Sequence, residues 1–193
     1  MTLSALAIGS LTLTPEFAEA TTEYTAATTN ATDTITATAA TDGATVVIAS
    51  DDATIAEGGI ATWAVGENEV TITVTKGTEE TVYTVTVTKY DPTLSALTVG
   101  ALTLTPTFAA GTTSYTASTS NATDQITATA VDEDATVVIA SETATIGDDG
   151  TATWTSGENA VTVTVTSGTA TKTYTVTVTY TPASDPEETI PEG

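Results

Sequence analysis

The sequence predicts an all-β chain of two tandem antiparallel β-sandwich domains, and three observations carry that prediction: its composition, its internal repeat and its short alternating runs. Threonine accounts for 53 of the 193 residues, and this β-branched residue favours strands over helices. Apolar residues make up 40% of the chain, which is enough for packed cores. We therefore expect strands throughout and almost no helix.

The internal repeat defines the domains. An offset of 91 residues aligns the two halves without a gap, and it matches Leu3 with Leu94, Trp63 with Trp154 and Tyr83 with Tyr174. A unit of this size can close its own core, whereas the repeats of solenoids, about 20–50 residues long, need neighbours. We predict domains at residues 1–91 and 92–181. An acidic, proline-containing tail at 182–193 follows them, and we expect it to be disordered.

Each unit reads as a series of short strands separated by Gly, Asn, Asp and Pro. In the first unit the runs are LSALAI, LTLTP, EYTAAT, TITATA, TVVIA, IATW, VTITVT and YTVTVT. The last two alternate strictly, so that Val70, Ile72 and Val74 share one face while threonines occupy the other. Gly77 between them, like Gly168 in the second unit, supplies the positive φ of a tight hairpin. Roughly seven or eight alternating strands per unit indicate a two-sheet sandwich of immunoglobulin-like type.

The charge balance excludes two classes of partner. The chain carries 25 acidic residues against three lysines, with no Arg or His, and its formal net charge is −22. Nucleic acids and anionic membranes are bound through Lys and Arg, so we expect neither as a partner. The N-terminal segment has no basic n-region and no continuous apolar run. We expect no signal peptide and no transmembrane span.

The residue inventory also argues against catalysis. The chain has neither His nor Cys, and no motif places an activating partner beside a Ser or Thr. No acids are concentrated around an aromatic-rich segment, as the cleft of a glycosidase would require. We therefore expect no enzyme and no catalytic or cofactor-binding residues.

Calcium is the one metal that the sequence brings into consideration, because acidic loops offer hard oxygen ligands. The loops contain Asp51 and Asp52, then Asp132, Glu133 and Asp134, then Asp148 and Asp149. At the 91-residue offset several of these acids have no acidic counterpart: Asp132 faces Thr41, and Asp52 faces Thr143. We interpret the loops as solvated turns without a metal ligand. A calcium site near them, or at Asp91 between the domains, is the alternative.

The two tryptophans recur at the same place, shortly before the letters GEN. We interpret Trp63 and Trp154 as core or rim residues, and stacking on a sugar is the alternative. The segments Asn30-Ala31-Thr32 and Asn121-Ala122-Thr123 match a glycosylation pattern. We read them as Asn turns that lead to Asp33 and Asp124.

Two segments of the second unit resemble a known family. LSALTVGALTLTPTFAAGTTSYTA at its start and GENAVTVTVTSGTATKTYTVTVT at its end are similar to the cadherin-like β-sandwich domain of bacterial surface and bacteriophage proteins. Matching stretches stand in the first unit, so the resemblance covers nearly all of residues 2–181. It implies a spacer, display or adhesion module, usually tandem, with no catalytic residues to carry over. Trp63 and Trp154 stand where an aliphatic residue is expected, which leaves a ligand role open.

The resemblance, taken with the expected absence of a leader or anchor, implies a non-catalytic structural protein. We expect a bacteriophage virion decoration or fibre protein on the particle surface, with capsid or tail subunits as partners. The alternative is a bacterial cell-surface adhesin or filament subunit. A third hypothesis, a carbohydrate-binding module that binds a host-surface glycan, depends on the two tryptophans alone.

Overall fold

The computed structural model describes residues 1–183, which form two compact units divided between Asp91 and Pro92. The predicted tail at 182–193 lies outside the described residues except for its first two positions. Between residues 1 and 183 no helix is long and apolar enough to cross a membrane.

Each unit contains eight strands. In the first unit they are β1 (Leu3–Ile8), β2 (Glu23–Thr28), β3 (Thr32–Ala39), β4 (Thr45–Ser50), β5 (Thr54–Ala56), β6 (Ile60–Thr62), β7 (Gly66–Lys76) and β8 (Glu79–Lys89). In the second they are β9 (Leu94–Val99), β10 (Ser114–Thr119), β11 (Thr123–Ala130), β12 (Thr136–Ser141), β13 (Thr145–Ile146), β14 (Thr151–Thr153), β15 (Gly157–Ser167) and β16 (Ala170–Tyr180). A single 3₁₀ turn, Glu57–Gly59, is the helical structure of the described chain.

The strands of each unit form two four-stranded sheets. In the first unit the orders are β1-β3-β6-β5 and β2-β8-β7-β4, and in the second they are β9-β11-β14-β13 and β10-β16-β15-β12. The predicted fold class, all-β with two tandem immunoglobulin-like sandwiches, is confirmed. One pair per unit departs from the antiparallel pattern, because β2 lies parallel to β8 and β10 lies parallel to β16.

The alternating runs place the cores where the sequence indicates. Val70, Ile72 and Val74 of β7 have no exposed surface, and neither do the inward residues of β8. Burying each such side chain contributes about 1.5–3 kcal/mol, whereas the intervening threonines keep their hydroxyls near water. Each unit has its own cluster of buried residues, so each closes its own interior.

A buried tyrosine ties the first strand of each unit to its centre. The Tyr83 hydroxyl accepts a hydrogen bond from the Leu3 amide at 3.0 Å and donates one to the Glu19 carbonyl at 3.0 Å. The corresponding partners of Tyr174 are Leu94 and Ala110. The hydroxyl therefore provides hydrogen-bond partners for buried backbone groups, which would destabilise the fold if they were unpaired.

The hairpin between β7 and β8 has the predicted turn chemistry. Gly77 has a φ of 64°, and Lys76 pairs with Glu79 across the two-residue loop. A positive φ at the first loop position followed by an ordinary residue is the pattern of a type II′ turn, whose twist suits a β-hairpin.

Two details of the strand prediction are wrong. The run LTLTP is not a strand: within it Thr14 forms an isolated bridge with Thr25, and pairing ends at Pro15, which has no amide hydrogen. In addition, β5 was not expected, because a three-residue strand is too short to show an alternation.

Replacing Gly59 with alanine is expected to destabilise the first unit by more than replacing Gly58. Gly59 has a φ of 77°, and a Cβ there would collide with the carbonyl oxygen of Ile35. Gly58 has a φ of 81°, with no atom within 4 Å of a Cβ. Its alanine variant should lose only the about 1–2 kcal/mol of left-handed backbone strain. Urea unfolding of the two variants tests this, and equal losses would contradict the collision.

Candidate functional site

The two tryptophans lie inside the cores. Trp63 is 4% exposed and Trp154 is 5% exposed. The indole Nε1 of Trp63 donates to Oδ2 of Asp33 at 2.9 Å, and that of Trp154 donates to Oδ2 of Asp124 at 2.9 Å. Stacking on a sugar needs an exposed ring face. This burial matches the core interpretation and does not fit the ligand and rim roles considered for these residues.

Asp33 is the centre of a buried polar cluster in the first unit. Its Oδ1 accepts a hydrogen bond from the Asn30 side chain at 2.9 Å, and its Oδ2 accepts from the Thr28 hydroxyl at 3.3 Å as well as from Trp63. Gly9 allows the approach, because a Cβ there would lie 2.8 Å from Oδ1. The cluster thus fastens the turn before β3 to the residue after β6. Its counterparts in the second unit are Asp124, Asn121, Gly100 and Trp154.

Sequence reasoning missed the partnership between aspartate and tryptophan. It treated Asn30 as the start of a turn that leads to Asp33, and it treated Trp63 separately. A signal was present, because Asp33 and Trp63 recur together as Asp124 and Trp154. Nothing in the spacing of 30 residues, however, reports that β3 and β6 are neighbouring strands of one sheet.

The asparagine of the letters GEN, Asn68 in the first unit, is a second buried polar residue. Asn68 has no exposed surface. Its Nδ2 donates to the carbonyls of Ala64 at 2.9 Å, Gly66 at 3.0 Å and Val87 at 3.2 Å, and its Oδ1 accepts from the Ala64 amide at 2.9 Å. Asn159 makes the equivalent contacts in the second unit. The asparagine therefore holds the loop that enters β7 or β15.

The acidic loops do not converge. Within residues 1–183 there is no group of three or more His, Cys, Asp or Glu side chains that could hold a metal ion. The Asp52 carboxylate accepts from the Glu69 amide at 3.0 Å, and Asp132 accepts from the Asp134 amide at 3.0 Å and from the Ser167 hydroxyl. Asp132 stabilises the backbone of its own turn, as Asp residues in turns commonly do, whereas Asp52 joins its loop to β7.

Two hydrogen bonds from Thr151 lower the pKa of the Asp149 carboxyl. The Thr151 amide and hydroxyl donate to its carboxylate, both at 2.9 Å, and these bonds lower the pKa of Asp149 below its ordinary value. Hydrogen bonds to the ionised form favour that form. The two hydrogen bonds therefore stabilise the turn when the pH is above the ordinary carboxyl range. This stabilisation is lost as the pH falls through the lowered pKa of Asp149.

The hydroxyls of Ser50 and Ser141 bond to the backbone at strand ends. They donate to the carbonyls of Glu69 and Ala160, at 2.6 Å and 2.7 Å, across the strand pairs β4-β7 and β12-β15.

The comparison with family models gives two matches on this chain. The model described as the cadherin-like beta sandwich domain matches residues 3–90 and again residues 94–180. The matched segments coincide with the two packed units, and together they take in nearly all of the described residues. No curated protein matches the chain.

Solved structures of tandem extracellular domains are similar in fold. Extracellular domains 3–5 of Drosophila OTK are 13% identical with a TM-score of 0.45, over 90% of this chain and 63% of that one. Drosophila N-cadherin EC1-3 is 12% identical with a TM-score of 0.32, over 83% and 64%. Human protocadherin-24 EC1-2 is 10% identical with a TM-score of 0.38, over 91% and 100%. The chain thus spans less than two thirds of the first two, and the likeness is one of fold alone.

Proposed function

The chain belongs to the cadherin-like beta sandwich domain family, with one copy in each unit, and from that premise we propose that it is a non-catalytic structural and display protein. Domains of this type are adhesion modules of extracellular and surface proteins. In its finer form the proposal is a bacteriophage virion decoration or fibre protein that exposes tandem domains on the particle. Its partners are other structural subunits, such as a capsid or tail protein.

The observation that carries this proposal is the duplication of one complete, separately packed unit. Each unit closes its own core around Tyr83 or Tyr174, and each buries its tryptophan against an aspartate. Neither copy concentrates reactive side chains. A duplicated unit whose polar side chains serve its own loops suits a module that extends and presents a surface.

The charges support the expected absence of nucleic-acid and anionic membrane partners. With a net charge of −22, the chain repels phosphate groups. The lysine ammonium groups donate to backbone carbonyls of their own units: Lys76 to Asp42 at 2.7 Å, Lys89 to Trp63 at 3.4 Å and Lys172 to Ala110 at 2.8 Å. They are also scattered, whereas phosphate recognition depends on clustered cations.

The test is the location of the chain in the organism that encodes it. Virus particles purified by density gradient and the cell-envelope fraction from the same culture are analysed by quantitative mass spectrometry. The proposal expects a fixed copy number per particle, together with surface labelling of intact particles by an antibody against the chain. Absence from particles with enrichment in the envelope fraction would favour the second candidate, a bacterial adhesin or filament subunit. Open sheet edges in both units support that second candidate.

We propose further that no calcium ion contributes to the fold. The loop acids accept hydrogen bonds from backbone amides, and several of them have no acidic counterpart in the other unit. The melting temperature of the full chain should therefore be unchanged between a calcium buffer and a chelator. A rise of several degrees in calcium would contradict this, since a ligand that binds only the native state raises stability by mass action.

A further inference from the structure

Each unit presents four sheet edges, and natural proteins usually protect such edges against pairing with another chain. In the first unit the edges are β1 and β5 of one sheet and β2 and β4 of the other. In the second they are β9, β13, β10 and β12. The edges differ in how they are protected.

Three of the four edges in each unit carry a recognisable protective device. A register shift interrupts β1 between Leu3 and Ala5, and a shift at the same place interrupts β9. The strands β5 and β13 have three and two residues. The outer side of β2 exchanges two hydrogen bonds of 2.8 Å with Thr14, directly before Pro15, and Thr105 does the same for β10. Bulges, short strands and covering segments each discourage strand addition.

The fourth edge has none of these devices. β4 makes six consecutive pairs with β7 without a register shift, and β12 makes six with β15. Both strands read TVVIAS, with no charge and no proline. The outward Val47 and Val138 are each 54% exposed, which no other large hydrophobic side chain of residues 1–183 exceeds. A regular, uncharged edge with an exposed β-branched residue is a template for an added strand.

The charges at the ends of these edges select the kind of strand that can add. Asp51 and Asp52 follow the C-terminal end of β4, and with Glu67 and Glu69 of the neighbouring β7 they line an open depression of about 450 Å³. At the other end of β4, Lys76 donates to the carbonyl of Asp42, so the acids of this edge are concentrated at its C-terminal end. At the ends of β12 the acids are Glu133 and Asp134 before it and Glu142 after it. Two copies of this chain paired through these edges would bring acids against acids. A strand with basic ends would instead meet complementary charge.

We propose that β4 and β12 are docking edges for an extended segment of another protein, made of alternating β-branched residues and flanked by Lys or Arg. The segment adds as a fifth strand, its backbone pairs with the open side of the edge, and its apolar residues cover Val47 or Val138. Because a partner in the assembly is assumed, the inference rests on the proposed display function. It adds to that function the surface through which the chain is held.

The proposal is tested on the purified full chain with synthetic peptides. The probe is a labelled peptide of alternating threonine and valine with a pair of lysines at each end. The comparison peptides carry glutamates at the ends, or prolines in place of alternate threonines. At low salt the lysine-flanked peptide should bind at least about ten-fold more tightly than either comparison peptide. Its advantage over the glutamate-flanked peptide should become smaller as salt screens the charges. Amide hydrogen exchange of residues 45–50 or 136–141 should slow when it binds.

Matched variants separate the edge from the rest of the surface. The double variant Val47→Lys and Val138→Lys places a charge on each edge and should weaken binding at least about ten-fold. Val82→Lys is the control, because Val82 is 42% exposed on β8, which is inside the same sheet. The affinity of the Val82→Lys variant for the lysine-flanked peptide should stay within about three-fold of that of the unmodified chain, since no edge is altered.

Three results would overturn the proposal: no slowing of exchange in β4 or β12, equal binding of the glutamate-flanked peptide, or self-association of the chain through the same amides in sedimentation velocity. The assay uses the isolated chain. Its outcome is therefore independent of whether the chain is found on virus particles or on cells, and the two proposals can fail separately.

Discussion

Replacing Trp63 with alanine is expected to lower the free energy of unfolding of the first unit by about 3–5 kcal/mol, since deleting a buried tryptophan removes apolar burial and leaves a cavity. The loss has a second source. Trp63 is 4% exposed and donates to Asp33, so the variant also removes a hydrogen bond from a buried carboxylate. The Thr28 hydroxyl and the Asn30 side chain still donate to Asp33, so this second contribution should lie at the lower end of the about 1–3 kcal/mol that a fully unpaired buried polar group costs. Native-state hydrogen exchange of β7 amides in the full chain measures the change.

Two further variants separate the contributions of the indole. Trp63→Phe keeps most of the ring volume and removes the N–H, so its loss should fall between that of alanine and zero. Trp154→Ala should produce the same loss in the second unit while leaving exchange in β7 unchanged. A loss below about 1 kcal/mol for Trp63→Ala would be that of an exposed site, and it would contradict the burial described for this residue.

Replacing Asn68 with alanine is expected to lower the free energy of unfolding of the first unit by about 3–4 kcal/mol, because several buried backbone groups lose their partner together. The asparagine has no exposed surface and bonds the carbonyls of Ala64, Gly66 and Val87 as well as the Ala64 amide. Water can reach some of these groups near the loop, which keeps the loss below the sum of four full penalties. Native-state hydrogen exchange of the β7 amides in the full chain measures this loss.

The neighbouring Glu67 provides the control for this loop. Its side chain is exposed, and Glu67→Ala should change stability by less than about 0.5 kcal/mol, as surface substitutions usually do. Asn68→Asp is the sharper variant, because it keeps the shape but replaces the amide donors with a buried charge. Its loss should exceed that of Asn68→Ala at neutral pH and shrink as the pH is lowered and the carboxyl is protonated. A loss that does not depend on pH would show that the side chain is hydrated.

The fold could be predicted because its main signals are local and repeated. Val70, Ile72 and Val74 alternate with threonines over a run long enough to separate a strand from a helix, and Gly77 fixes the hairpin that follows. The repetition of the pattern after 91 residues gave two independent readings of one unit. Strand direction was beyond reach, because the side chains of β2 alternate in the same way whether it lies parallel or antiparallel to β8.

The interior polar clusters could be predicted only in part. The letters GEN served only to locate the tryptophans, and the bonds of Asn68 go to backbone groups that no side-chain pattern reports. The pairing of Trp63 with Asp33 depends on β3 and β6 lying side by side in one sheet, which is a property of the tertiary structure. The run LTLTP carried a clear alternation, yet Pro15 limits it to one bridge, so in this segment the backbone overrode the pattern.

The hydrogen bond of the Tyr83 hydroxyl to β1 affects how the folded protein resists proteolysis. Terminal strands are ordinarily the first places to fray and to be cut by proteases. In this chain the Leu3 amide of β1 bonds to the hydroxyl of a ring with no exposed surface, so β1 separates from the core only when that bond is broken. Digestion of the folded protein should therefore begin at exposed loop tips, and β1 should survive until the whole unit opens.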